Sequence, residues 1–348
     1  METKVVNFEA VKTGIANLFG DYMEGSTDKK MFCIFPSTHD NIDLIDLIIE
    51  KGSTHYKDFN YIDNSCSFEA ISNIVSQYDN IIYFENSEST HSKELSKYLD
   101  KNPKDVFKFT RIFDWSFELF EQAFNAKRET IRRINESVIY KGWNSSVCSV
   151  KSNSGTDLEI ALSQQYGWIN SYGLTMGGHP SILPPSEAAT YSDKINGILV
   201  GDGAINTNFK FDYDPRLGEY PIKIEFKDSQ VVNFECPNYF IQSFLKQYFS
   251  IGNANRVGEV GFGTNVGLKY FVDFQSHLNE RWPSLHLGLG APNQGERIDW
   301  GSVYHLDIIT NDTVIIFDND IILQNNSYKV IEGNINLDGI PMGYADTL

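Results

Sequence analysis

Five side chains in the 348-residue chain have the types and spacing that metal chemistry needs. His305 and Asp307 stand two apart in Tyr304-His305-Leu306-Asp307-Ile308. On a strand such residues share a face, so an imidazole and a carboxylate are presented side by side while Leu306 and Ile308 turn to the core. Glu259 lies in Gly258-Glu259-Val260-Gly261-Phe262-Gly263, and His286 in Leu285-His286-Leu287-Gly288-Leu289-Gly290. They stand 27 and 19 residues before the next member of the set, intervals that let neighbouring strands converge at one end of a sheet. Glu187 follows the rigid Pro184-Pro185 turn and precedes Ala188-Ala189, which makes it a fifth candidate ligand. Read singly, Glu259 is a turn cap, His286 a satisfied core histidine and Glu187 a loop acid. Together they crowd polar groups into apolar and glycine-rich runs, where burial without a partner is costly and a shared divalent ion removes the cost.

The elements that must position these groups have two textures. Residues 1–143 alternate strand and helix. Apolar runs at 31–35, 59–62 and 80–84 read as strands; residues 41–49, with Asp40 as cap, and 67–78, begun by Ser67 with Glu69 just inside, read as helices. Such repeats imply a parallel, Rossmann-like sheet flanked by helices. No G-x-G-x-x-G or Walker-type loop occurs in them, so a structural or dimer-forming role is expected rather than nucleotide binding. Residues 115–139 carry a long helical pattern and predict one connecting helix. From 144 to 348 the pattern is mostly antiparallel and β-rich. Strands are expected at 155–162, 198–200, 209–211, 222–226 and 231–234, with a helix over 238–250, and hairpins within 313–338 that turn at Asn325-Asn326. The overall class is α/β followed by a β-rich, mostly antiparallel domain.

Composition limits the partners. With 29 Lys+Arg against 46 Asp+Glu, the formal charge of −17 disfavours nucleic acid and anionic membranes. No apolar run approaches the ~20 residues of a membrane span. The first residues lack the order of a secretory signal, and Cys33, Cys66, Cys148 and Cys236 form no C-x-x-C pair. A cytoplasmic protein with reduced thiols is expected. Nucleophilic serine chemistry lacks a G-x-S-x-G elbow, and no cysteine has an activating context.

In order, Leu183-Pro184-Pro185-Ser186-Glu187, Asn196-Gly197-Ile198-Leu199-Val200 with Asp202, Gly258-Glu259-Val260, His286-Leu287-Gly288-Leu289-Gly290 and His305-Leu306-Asp307 resemble the motifs of the aminopeptidase T group, the M29 metallopeptidases. Gly155-Thr156-Asp157-Leu158 is similar to the strand that opens the catalytic domain there. The resemblance implies a co-catalytic pair of divalent ions, commonly zinc or cobalt, held by Glu187, Glu259, His286, His305 and Asp307, and removal of amino-terminal residues from peptides by a homodimer; taken with an iron-dependent branch of the same superfamily, the expectation is one or two ions of zinc, cobalt or iron. It implies that Glu187 or Glu259 bridges the ions or takes the proton. The tyrosine expected soon after the first histidine is replaced by Ala291-Pro292-Asn293-Gln294, which leaves Tyr304 as the catalytic substitute. A second branch of the superfamily, ring-opening dihydroxypyridine dioxygenases, resembles the chain in length and in its His-Leu-Asp-Ile ending. It uses one Fe(II) held by two histidines and an aspartate, and Glu259 stands where that branch has its first histidine. A third expectation is a non-hydrolytic, peptide-binding accessory protein in the biosynthesis of a ribosomally made peptide product.

Overall fold

A computed structural model describes residues 5–36, 41–85, 94, 98, 108–173 and 181–343. By contacts the chain divides into two compact units, residues 1–128 with 173–185 and residues 129–172 with 186–348. Most of the helix Arg128–Trp143 therefore groups with the second unit, and residues 173–185 return to the first.

The first unit is built on five parallel strands in the order β2-β1-β3-β4-β8. With strands numbered along the whole chain, these are β1 Lys30–Phe35, β2 Asp58–Asp63, β3 Asn80–Glu85, β4 Lys108–Phe113 and β8 Ser181–Leu183. All of β3 and all but the first residue of β1 are buried, as a sheet covered on both faces requires. Helices Ile42–His55 and Phe68–Val75 connect them, the second capped by Ser67 Oγ accepting from Ala70 N. The expected cap Asp40 lies outside the described residues, and Asn41 at the N-cap position makes no side-chain cap bond. The single helix expected over 115–139 is interrupted. Phe117–Gln122 and a short 3-10 turn, Ala123–Asn125, precede Arg128–Trp143, with Ala126 extended between them. Asn125 Nδ2 donates to the carbonyls of Ala10, Phe120 and Glu121, so this side chain occupies acceptors that a continuing helix would use.

The second unit contains two sheets. One runs β13-β12-β10-β6-β5-β17-β18-β19 and the other β11-β16-β15-β14-β9-β7-β20. The strands are β5 Val147–Lys151, β6 Asp157–Ala161, β7 Trp168–Ser171, β9 Glu187–Thr190, β10 Ile195–Gly201, β11 Ala204–Thr207, β12 Ile222–Lys227, β13 Gln230–Glu235, β14 Val257–Gly263, β15 Leu285–Gly290, β16 His305–Ile309, β17 Val314–Phe317, β18 Asp320–Gln324, β19 Ser327–Tyr328 and β20 Met342–Gly343. Every pairing is antiparallel except β7 with β20. One core joins the two sheets: Leu158, Ile160, Leu199 and Ile224 from the first meet Val260, Phe262, Leu287 and Ile308 from the second. Ile134 and Val138 of the helix Arg128–Trp143 pack into the same core.

The turn at Asn325-Asn326 has φ values of 51° and 53°, the left-handed pair that joins a two-residue hairpin between β18 and β19. Residues 209–211, expected as a strand, are not one. Phe211 N donates to the side chain of Gln275, and Phe209 and Phe211 pack their rings on Phe244 of the helix Tyr239–Tyr248. An aromatic cluster here takes the place of a ladder. The four cysteines are free thiols, Cys33 and Cys148 buried, Cys66 and Cys236 half-buried. No described helix is long and apolar enough to cross a membrane.

Candidate metal centre

Strand alternation makes the centre. In β15, Leu285, Leu287 and Leu289 enter the shared core, so His286, Gly288 and Gly290 take the opposite face. In β16, Leu306 and Ile308 enter the core, leaving His305 and Asp307 on that same opposite face. In β14 the register shifts between Val257 and Glu259, a bulge that keeps Val257, Val260 and Phe262 in the core while Glu259 and Gly261 face the other way. The pairing sets Gly261 opposite His286, and Gly288 opposite both Glu259 and Asp307. Glu187 begins β9, where it pairs with Gly263.

The glycines supply the room. A Cβ on Gly288 would lie 2.6 Å from His305 Cε1 and 2.8 Å from Glu259 Cβ, and one on Gly261 would overlap the His286 ring. The glycine-rich pattern around the polar residues is the volume that the imidazoles and carboxylates fill.

All five sequence-predicted ligands come together inside the second unit, and all are buried. Glu187, Glu259 and His286 form one triad, and Glu259, His305 and Asp307 another; within each, one donor atom per residue lies within 4.8 Å of the others. His286 Nε2 is 2.9 Å from Glu187 Oε1, and His305 Nε2 is 2.8 Å from Asp307 Oδ1 and 3.6 Å from Glu259 Oε2. His305 Nδ1 lies 2.9 Å from the Ala291 carbonyl, which fixes the tautomer and aims Nε2 at the two carboxylates, as an outer partner does for a ligating histidine.

Tyr304 stands just before β16, 37% exposed, with its ring edge-on to Phe209 at 5.3 Å. Among the described residues its hydroxyl makes no hydrogen bond. The tyrosine with a buried hydroxyl near the centre is Tyr248, which donates to the Leu289 carbonyl at 2.6 Å; burial, then the Asp307 charge, raise its pKa.

Three polar residues of the centre carried no signal in the sequence. Arg281, 4% exposed, donates to Glu187 Oε2 at 2.5 Å and pairs with Glu280 at 2.6 Å. Asn206 of β11, opposite Asp307, donates to Glu280 Oε2 at 2.6 Å and reaches Asp307 Oδ2 at 3.5 Å. Asn135, fully buried on the helix Arg128–Trp143, donates to the carbonyls of Ser171 and Glu187 and to Asn170 Oδ1, and accepts from Thr264 Oγ1. It ties the helix to β7, to β9 and to the segment after β14. Ser186, next to Glu187, has φ of 108°, a conformation unusual for a residue with a side chain. Its N–H bond to Ser171 O and its carbonyl bond from Thr264 N hold it there.

The electrostatics divide the carboxylates. Burial pushes the Glu187 carboxyl up, but the Arg281 guanidinium and His286 outweigh it and hold it well below the usual range. Burial, then the neighbouring Glu187 charge, push Glu259 well above that range. Burial opposes protonation of His305, but Asp307 and Glu259 raise its pKa to about 10. Burial alone would raise Asp307, yet the His305 charge lowers it.

These features fit a divalent ion. Three buried carboxylates and two imidazoles converge, Glu259 is driven away from its charged form, and His286 Nδ1 and Asn206 Oδ1 are buried with no hydrogen-bond partner among the described residues. The donor set of nitrogen and oxygen suits zinc, cobalt or iron rather than soft-metal chemistry.

No family profile matches the chain, and no curated protein matches it. Solved structures that share its fold include 2,5-dihydroxypyridine dioxygenase from Pseudomonas putida KT2440 and wild-type AmpT from Thermus thermophilus. The first aligns with a TM-score of 0.62 and 13% identity over 94% of this chain and 99% of that one. The second aligns with a TM-score of 0.60 and 15% identity over 93% of this chain and all of that one.

Proposed function

We propose that the chain is a metal-dependent hydrolase of the aminopeptidase type, removing amino-terminal residues from peptides. The observation that carries the reading is the convergence of Glu187, Glu259, His286, His305 and Asp307 into two buried triads that share Glu259. A divalent ion held by these residues would supply Lewis-acid chemistry for hydrolysis. Glu259, the carboxylate common to both triads, is the group that would bridge ions or take and return a proton. His305, braced by Ala291, and Asp307, held by His305 and Asn206, keep the donor atoms in place. With this reading go a Rossmann-like first unit in a structural or dimer-forming role, and a homodimer.

The test is turnover. Protein loaded in turn with zinc, cobalt or iron is assayed on peptides with free and with acetylated amino termini. Release of the first residue from free termini alone is expected; no turnover with any metal would defeat the reading.

A second reading, a mononuclear Fe(II) ring-cleaving dioxygenase, is favoured by the Glu259–His305–Asp307 triad, which is complete without Glu187 and His286. It ranks second because that triad has one imidazole and two carboxylates, where such iron sites use two and one. It requires oxygen uptake by the Fe(II)-loaded protein with a dihydroxypyridine. Peptide binding that survives chelation, without turnover, would instead favour an accessory role in making a ribosomal peptide product.

A further inference from the structure

The two triads differ in what already balances their charge. Both oxygens of Glu187 are engaged, Oε1 by His286 Nε2 at 2.9 Å and Oε2 by Arg281 Nη1 at 2.5 Å. The guanidinium is buried and keeps its proton at any working pH. Glu280 Oε1 lies 2.6 Å from the same Nη1, and Asn206 Nδ2 in turn donates to Glu280 Oε2. Arg281 cannot swing out without taking the cation away from two buried carboxylates. An ion in either triad would have to open an imidazole–carboxylate contact, His286–Glu187 at 2.9 Å or His305–Asp307 at 2.8 Å, but only in the Glu187–Glu259–His286 triad would it also lie beside a permanent positive charge. The Glu259–His305–Asp307 triad contains no fixed cation. Its histidine is braced through Nδ1, and its Nε2 points at both carboxylates.

We propose that Arg281 occupies the role of a second cation, so that the chain takes one divalent ion, at Glu259, His305 and Asp307, beside a permanent Glu187–Arg281–Glu280 ion-pair platform. The inference rests on the reading of the cluster as a metal site. Arg281 is then the residue that sets the stoichiometry, and Asn206 links the platform to the ligand Asp307.

The experiment counts ions rather than turnover. The full chain is stripped with a chelator, equilibrated with Zn(II) or with Co(II), desalted, and measured by elemental analysis and native mass spectrometry. One equivalent is expected in the wild type, one in Glu187→Gln, none in His305→Ala and two in Arg281→Met. Should Arg281→Met not fold, Glu187→Gln carries the test, because it removes a donor of one triad only. Two equivalents in the wild type, loss of the ion in Glu187→Gln, or a single equivalent in a folded Arg281→Met would each overturn the proposal. A wild type that binds neither metal would remove the metal reading itself, an outcome distinct from those three.

Discussion

Asn206 is the side chain whose removal separates holding an ion from folding around it. Its amide joins Glu280 to Asp307 from a neighbouring strand, so it orients a proposed ligand without being one. Asn206→Ala is expected to weaken Zn(II) binding about 10- to 100-fold, the usual effect of losing a partner of a metal ligand, with the far-ultraviolet spectrum unchanged. Competition with a chromophoric chelator measures it, and an unchanged affinity would refute the role. The five candidate ligands were legible because each breaks a local pattern, a carboxylate or imidazole among glycines and aliphatics. Arg281 and Asn206 break none. Arg281 follows Glu280 in sequence, and such a pair reads as solvated surface; its second partner, Glu187, is 94 residues away. The sequence therefore showed the acids of the centre and hid the base that neutralises them.

Adjacent residues of β15 have opposite jobs, and substitutions there should part accordingly. Leu287 is fully buried in the core, and Leu287→Ala should cost about 2–5 kcal/mol in denaturant unfolding while metal binding persists. Gly288→Ala drives a methyl group into Glu259 and His305. It should cost about 1–3 kcal/mol through overpacking and, unlike Leu287→Ala, abolish the metal stoichiometry. If both variants lost the ion equally, the division of the strand into two faces would be wrong. Asn135 extends this logic to a helix: Asn135→Ala removes the donor to the Glu187 carbonyl and strands a buried acceptor, for an expected loss on the order of 2 kcal/mol or more in stability. Period-two alternation made β6, β12 and the His305–Asp307 face of β16 readable from sequence. It failed at residues 209–211, where Phe and Tyr rings pack on one another. The helical pattern over 115–139 failed because periodicity registers apolar spacing and cannot see the Asn125 side chain capturing three carbonyls.

The whole chain carries a charge of −17, so acid should bear on it through the carboxylates that are tied to cations. Topology also limited what could be read: β8 joins the parallel sheet beside β4 although it is 71 residues away at Thr110–Ser181, and no local signal announces such a return. Within the same unit, Glu24 accepts from Lys108 at 2.7 Å and Arg128 at 2.8 Å. Lys108, against burial and with help from Arg128, lowers its pKa from 4.5 to about 2. A folded value below the unfolded one means stability present above pH 4.5 and lost as pH falls through about 2. Because the side chain is 39% exposed, solvent screening reduces the contribution to about 1 kcal/mol. Glu24→Gln should therefore be less stable than the wild type by about that amount at neutral pH, and the gap should close between pH 4.5 and 2. Urea unfolding of both proteins across that window decides it: a gap that stays constant down to pH 2 would mean that the carboxylate charge of Glu24 contributes nothing to holding Lys108 and Arg128.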